Sequence, residues 1–209
     1  MNTLDHILRK YNIRLQPDTE HRLNHQTMPV DLNINRNQLA ELFAELGYKS
    51  GAEIGVEQGE YSEVLAKANP EAKLYLVDRW KAYRGYRDHV SQEKLDAFFE
   101  TTRARVERFP AVLMRKASLD AARDFKDESL DWVFIDANHS FDWVMQDIIH
   151  WTPKVRAGGL VCGHDYFVGT QGQGHQVPIA VKAYTEAHKV WPWFVARGDH
   201  SPSWFFVRQ

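Results

Sequence analysis

Two short polar clusters carry residue types that could do chemistry together, Asp136-Ala137-Asn138-His139 and His164-Asp165-Tyr166. Each closes an apolar run, so both read as loops at the ends of adjacent strands, with their side chains converging. Such oxygen-rich convergence suits a hard divalent cation, Mg²⁺, Mn²⁺ or Ca²⁺, better than zinc. A metal there could bind a substrate hydroxyl and make it easier to deprotonate. His139, three residues past Asp136, is placed to accept that proton near neutral pH. His139 and Asp136 are therefore the expected catalytic pair. Taken singly, Asp136 and Asp165 read better as helix N-caps, and His139 as a hydrogen-bonded surface residue. The two clusters together favour function.

A second unit specifies a binding site. In Ala52-Glu53-Ile54-Gly55-Val56-Glu57-Gln58-Gly59-Glu60-Tyr61-Ser62 an apolar lead-in meets two glycines and then a helix-like segment. Gly55 and Gly59 lack side chains where a backbone must bend and approach a ligand. The dinucleotide pattern G-x-G-x-x-G is absent, and Glu53, Glu57 and Glu60 would repel a pyrophosphate. They suit a cationic ligand instead, such as the sulfonium and amino group of S-adenosylmethionine. The next apolar run, Lys73 to Val77, ends on Asp78, whose carboxylate could accept both ribose hydroxyls. Trp80 could cover an adenine face or be core. Arg79, Lys81, Arg84 and Arg87 with Tyr83 and Tyr86 form a basic-aromatic loop, read as a solvated lid, a subunit contact or a surface for an anionic or sugar substrate.

These residues need a scaffold that lines up strand ends. Apolar spacing predicts helices over Leu4–Leu15, Asn37–Leu46 with Gly47 as C-cap, Tyr61–Ala68, Gln92–Phe109, Leu119–Phe125, Phe141–Trp151 and Val177–Lys189. Strands are expected at Ala52–Val56, Leu74–Val77, Ala111–Met114, Trp132–Ile135 and, after a Gly158-Gly159 turn, Leu160–Gly163. Two aromatic strands, Trp193–Val195 and Trp204–Val207, read as a terminal hairpin that places an antiparallel strand in the sheet. Gln16 to Asn35 reads as an irregular connection, and Val168 to Gln176 as a Gly/Gln-rich mobile loop beside the site. Strand–helix alternation implies an α/β fold with an open, mostly parallel sheet of about seven strands and helices on both faces. In such sheets ligands bind beyond the carboxyl ends of the strands. That rule selects Glu53 to Gly59, Asp78 to Trp80, Ala117-Ser118, Asp136 to His139 and His164 to Tyr166.

Composition narrows the classes. At 209 residues the chain fits one domain with a full core. A net charge of −2 argues against nucleic acid as a partner. A single cysteine, Cys162, excludes an intrachain disulfide and a cysteine-based zinc site. No signal peptide and no membrane span are read, so a soluble, cytoplasmic protein is expected. G-x-S-x-G, Walker and H-E-x-x-H motifs are absent.

The ordered set Glu53-Ile54-Gly55-Val56-Glu57-Gln58-Gly59, Asp78, Phe134-Ile135-Asp136-Ala137-Asn138-His139, and Gly158-Gly159-Leu160 with His164-Asp165-Tyr166 resembles the class I S-adenosylmethionine-dependent methyltransferases. More narrowly, it resembles the small metal-assisted O-methyltransferases related to catechol and macrocin O-methyltransferases. The likeness runs from about Arg36 to Val207, with residues 1–35 left as an N-terminal helical extension. It implies a Rossmann-like sheet and S-adenosyl-L-methionine as cofactor. It places Glu53, Gly55 and Gly59 at the methionine end, Asp78 at the ribose, and Trp80 with Ser118 at the adenine. Arg79 and Asp136 join that cofactor-binding set. By the resemblance Asp136 and Asp165 match metal ligands of the family, for Mg²⁺ or another divalent cation, with His164 as the third residue of the expected set. His164 departs from the pattern, where an Asp is usual, so a metal-independent enzyme using His139 or His164 as base stays open. The expected acceptor is a hydroxylated small molecule, a sugar, glycoside or phenol, and a homo-oligomer is compatible with the reading. A nicotinamide-dependent oxidoreductase and an inactive binding module of the same fold are the competing readings.

Overall fold

A computed structural model describes residues 2–15, 28–83, 91–167 and 176–209. Arg84, Tyr86 and Arg87 of the basic loop, and residues 168–175 of the Gly/Gln stretch, lie outside the described residues. The elements are, in order, α1 (Thr3–Lys10), β1 (Val30–Leu32), α2 (Arg36–Glu45), β2 (Ser50–Ile54), α3 (Glu60–Ala68), β3 (Lys73–Asp78), α4 (Gln92–Val106), β4 (Ala111–Arg115), α5 (Ser118–Ala122), β5 (Leu130–Ile135), α6 (Phe141–Trp151), β6 (Val155–Gly163), α7 (Val177–Ala187), β7 (Trp193–Ala196) and β8 (Ser203–Val207).

The strands form one eight-stranded sheet in the order β1-β7-β8-β6-β5-β2-β3-β4. Strand β8 runs antiparallel to both β6 and β7, while the other neighbouring pairs are parallel. The expected hairpin therefore forms, Trp193 facing Phe206 and Val195 facing Trp204. From β2 the chain moves outward through β3 and β4, then returns to β5 on the other side of β2. The strand order reverses there, the kind of position beside which open α/β sheets bind ligands.

Alternation along the central strands sends side chains to two cores. Trp132 and Phe134 pack with Ile7, Leu39, Phe43, Leu65 and Val106 of α1 to α4. Val133 and Ile135 pack with Ala121, Ile148, Trp151 and Val181 of α5 to α7. With helices on both faces, β5 from Trp132 to Ile135 and β6 from Gly159 to Gly163 are buried, which is why these stretches read as unbroken apolar runs.

Two expectations fail. Within Gln16 to Asn35, Val30–Leu32 is a strand, paired in parallel with Phe194–Ala196 of β7. The Gly158-Gly159 pair does not precede β6 but lies inside it. Gly158 takes φ +76° and the β5–β6 register shifts between Leu130 and Trp132, so the strand continues through a local irregularity. No helix among the described residues is long and apolar enough to cross a membrane.

Candidate active site

A cleft of about 710 Å³ opens at the carboxyl ends of β2, β3, β4 and β5. That volume suits a small-molecule site, for which about 300–1,000 Å³ is usual. Its floor is the turn from β2 into α3. Gly55 takes φ +90°, and a Cβ there would stand 2.1 Å from the Asp136 carbonyl oxygen. Only glycine lets the β2 and β5 loops lie this close. Gly59, at φ +73°, caps α3, and its own Cβ would press on Thr102 of α4. It shapes the turn and packs against α4, and it is not among the residues that line the cleft.

Asp78 fastens this turn. Its Oδ2 accepts the backbone N–H groups of Val56 at 2.9 Å and Glu57 at 3.0 Å, and its Oδ1 accepts that of Trp80 at 2.9 Å. The carboxylate still lines the cleft, with Oδ1 the less occupied oxygen, so it retains one face for a ribose hydroxyl rather than both oxygens. Arg79 also lines the cleft, its guanidinium 4.8 Å from the Tyr83 ring centroid. Trp80 does not. Its φ of +40° turns the ring inward, where it is 1% exposed, donates from Nε1 to the Glu57 carbonyl at 2.8 Å and meets Phe99 edge-on. The expected adenine contact from Trp80 is thus replaced by a core role. Trp143 of α6, 43% exposed, is the tryptophan on the cleft wall.

Ser118, at the start of α5, lies on the wall where expected. Its hydroxyl donates to Asp147 Oδ1 of α6 and accepts the Trp151 indole N–H at 2.8 Å. Asp147 is a cleft residue that sequence reading missed. Burial pushes its carboxyl up to about 6, against the Ser118 hydrogen bond. Glu53 is 2% exposed at the opposite end of the cleft, where burial raises its carboxyl to about 8 despite a hydrogen bond from Ser62. Its neighbours Asp136 and Asp78 push the same way.

Beyond β5 and β6 the two polar clusters do converge. His139 Nε2 lies 3.0 Å from Asp165 Oδ2 and 3.6 Å from Asp136 Oδ1. His164 Nδ1 lies 3.2 Å from Asp165 Oδ1 and 3.6 Å from Asp136 Oδ2. The Ser201 hydroxyl adds a hydrogen bond to Asp165. Asp136 and His139 line the cleft, whereas His164 and Asp165 stand behind them. Ligand atoms of Asp136, His139 and Asp165 all fall within 4.8 Å of one another, a spacing that one ion could bridge. His139, rather than the expected His164, completes that set. His164 instead faces both carboxylates with only 11% of its side chain exposed.

The protonation of the cluster follows from these contacts. Burial alone would lower the His139 imidazole, but its hydrogen bonds to the Asp136 and Asp165 carboxylates override that and raise it to about 10. His164 moves up from the same competition, and Asp165, against its own burial, is held far below the usual carboxylate range by the two imidazoles and Ser201. Asp165 sits at φ +57° and Glu57 at φ +52°. With Trp80, these are non-glycine residues in a left-handed conformation just after β6, β2 and β3, a strain of about 1–3 kcal/mol each that recurs at binding sites.

Known proteins resemble this chain in sequence and in shape. A family model described as a methyltransferase domain matches residues 52–166. No curated protein matches by sequence. The O-methyltransferase TomG from Streptomyces achromogenes, solved with S-adenosylmethionine and involved in tomaymycin synthesis, superposes with a TM-score of 0.59 at 15% identity, over 83% of this chain and 80% of its own. Cofactor-bound Rv0187 from MTB superposes with a TM-score of 0.60 at 15% identity, over 99% and 90%. The N-methyltransferase NodS from Bradyrhizobium japonicum WM9 does so with a TM-score of 0.58 at 13% identity, over 83% and 94%. At these identities the likeness establishes the fold.

Proposed function

From the premise that this chain belongs to the class I S-adenosylmethionine-dependent methyltransferases, its family match spanning more than half its length, we propose that it moves the methyl group to a hydroxyl oxygen of a small molecule with the help of a divalent cation. The observation that carries this reading is the Asp136, His139 and Asp165 cluster at one end of the cleft, next to Glu53 and the Gly55 turn.

The strand ends β5, β2, β3 and β4 are neighbours spanning roughly 14 Å, at about 4.8 Å per spacing. An extended nucleoside cofactor lies along them, with its methionine end at Glu53, its ribose at Asp78 and its adenine at Ser118. In this reading Trp143, not Trp80, offers the base an aromatic face. Arg79 and the Gly55 turn close the sides.

The cluster's donor set fits a divalent cation. Two carboxylates with one imidazole at this spacing suit Mn²⁺ or another imidazole-tolerant ion better than Mg²⁺. Such an ion would polarise an acceptor hydroxyl and lower its pKa. Asp136 and Asp165 hold and orient the acceptor's end of the site. His139, bracketed by those carboxylates, carries a proton at neutral pH, so it would join the ion's ligands only with that proton displaced, and as a ligand it would not also serve as the base. The protein's larger contribution is alignment, holding the acceptor oxygen in line with the methyl–sulfur bond.

The test is methyl transfer from labelled S-adenosylmethionine to a panel of sugars, glycosides, phenols and amines, with Mn²⁺, Mg²⁺ or chelator. Metal-dependent labelling of hydroxyls supports the reading. Labelling confined to amines removes the acceptor class, and full activity in chelator removes the metal. A thermal shift with NAD but not with S-adenosylhomocysteine would favour the oxidoreductase reading.

A further inference from the structure

Arg36 is the first residue of α2, and three contacts from two side chains fix it. Its backbone N–H donates to Asp199 Oδ2 at 2.7 Å, in the turn between β7 and β8. Its carbonyl accepts the Tyr61 hydroxyl at 2.8 Å from α3, and its guanidinium lies 5.1 Å from the Tyr61 ring centroid. Tyr61 in turn packs on Phe134, with ring centroids 4.4 Å apart, next to His164. A stacked arginine held at both backbone groups is a rigid donor fork.

That fork lines the cleft at the same end as Glu53, and the two are electrostatically coupled. They are not paired to one another, and among the described residues no carboxylate forms an ion pair with Arg36. By contrast, Lys116 on the cleft wall is bound to Asp124, Arg123 to Asp120, and protonated His139 to Asp136 and Asp165. The methionine end of the cofactor is a zwitterion with its ammonium and carboxylate on one carbon. An acid and a guanidinium facing one space without closing on each other match such a group.

We propose that Arg36 receives the α-carboxylate of S-adenosylmethionine while Glu53 receives its ammonium. The inference rests on the cofactor reading above and extends it to a residue outside the glycine loop, on an N-terminal helix. Arginine is suited to the task because it presents paired N–H donors to a carboxylate. Its Tyr61 stack keeps the fork aimed before the ligand arrives, so little side-chain freedom is lost on binding.

The experiment compares S-adenosylhomocysteine with S-adenosyl-3-thiopropylamine, which keeps the amine and lacks the carboxylate, by calorimetric titration of the full chain. The wild-type protein binds the first more tightly. In Arg36→Gln, affinity for S-adenosylhomocysteine falls about 10–100-fold while affinity for the amine is unchanged, so the preference collapses. Arg36→Lys restores part of it. Equal loss for both ligands, or no loss for either, overturns the proposal. Circular dichroism and melting of the variant separate misfolding from lost recognition, and Tyr61→Phe, which keeps the ring but drops the bond to the Arg36 carbonyl, retains the preference in weakened form. A wild-type chain that binds neither ligand rejects the cofactor reading itself, a result distinct from an Arg36→Gln protein that keeps wild-type preference.

Discussion

Asp78 grips Val56: its carboxylate Oδ2 accepts the Val56 backbone N–H at 2.9 Å, tying the end of β3 to the turn after β2. The same oxygen holds Glu57, whose φ of +52° is unfavourable without an anchor. Asp78→Ala is therefore expected to loosen the floor of the cleft as well as remove the proposed ribose partner. S-Adenosylhomocysteine affinity should fall at least about tenfold, and amide hydrogen exchange should accelerate at residues 55–59, with a stability loss of about 1–3 kcal/mol. Unchanged exchange at these residues would leave Asp78 with a ligand-contact role alone.

Glu53 sets a pH dependence. Burial raises its carboxyl from an ordinary value near 4.5 to about 8, so folding takes up a proton between those values. The unfolded chain binds fewer protons there, and stability of the ligand-free protein falls as pH rises from about 4.5 to 8. Glu53→Gln should flatten that slope, raise the ligand-free stability at pH 8 by about 1–3 kcal/mol and weaken S-adenosylhomocysteine binding. Denaturant titrations across the pH range check the first part, and a slope equal to wild type would contradict the assignment.

The two tryptophans after β3 and in α6 should part company. Trp143→Ala is expected to cut S-adenosylhomocysteine affinity with little effect on melting, since its ring is 43% exposed on the cleft wall. Trp80→Ala should cost about 3–5 kcal/mol of stability, because it removes a buried ring. Melting curves and calorimetry on the pair distinguish an aromatic face from a core anchor.

At the acid cluster, Asp165→Asn should abolish binding of one equivalent of Mn²⁺ and remove metal-dependent turnover, while cofactor affinity stays near wild type. His139→Gln should reduce turnover about 10²–10⁴-fold with the same preserved cofactor affinity. Calorimetry with Mn²⁺ and single-turnover labelling read these separately. Metal binding that survives Asp165→Asn would require a different ligand set from Asp136, His139 and Asp165.

The sequence exposes those parts of this site that depend on local pattern. The runs ending on Asp78 and Asp136 are buried on both faces, so their apolar character marks strand ends almost to the residue. Helix α6 begins at Phe141 and ends at Trp151 because its apolar spacing is regular and Ser140 precedes it. What escapes is non-local. Val30–Leu32 is too short to register as a strand and exists through its bonds to β7. The direction of Trp80 depends on one backbone angle, and Arg36 and Asp147 reach the cleft only because α2 and α6 pack beside it. Which of His139 and His164 faces the cleft is likewise something that spacing along the chain does not encode.

Strand β1 has a consequence for how the molecule behaves in a crowd. Every residue of β7, Trp193–Ala196, is buried, and without Val30–Leu32 its outer row of N–H and C=O groups would face solvent beside an apolar surface. Such a margin invites a strand from another copy to add itself. The margin is instead finished by three residues, of which Asp31 is exposed and paired with Arg197 at 2.9 Å. A charged stub of chain thus acts as a selvedge, deciding that the sheet stops at eight strands rather than running on into a neighbour.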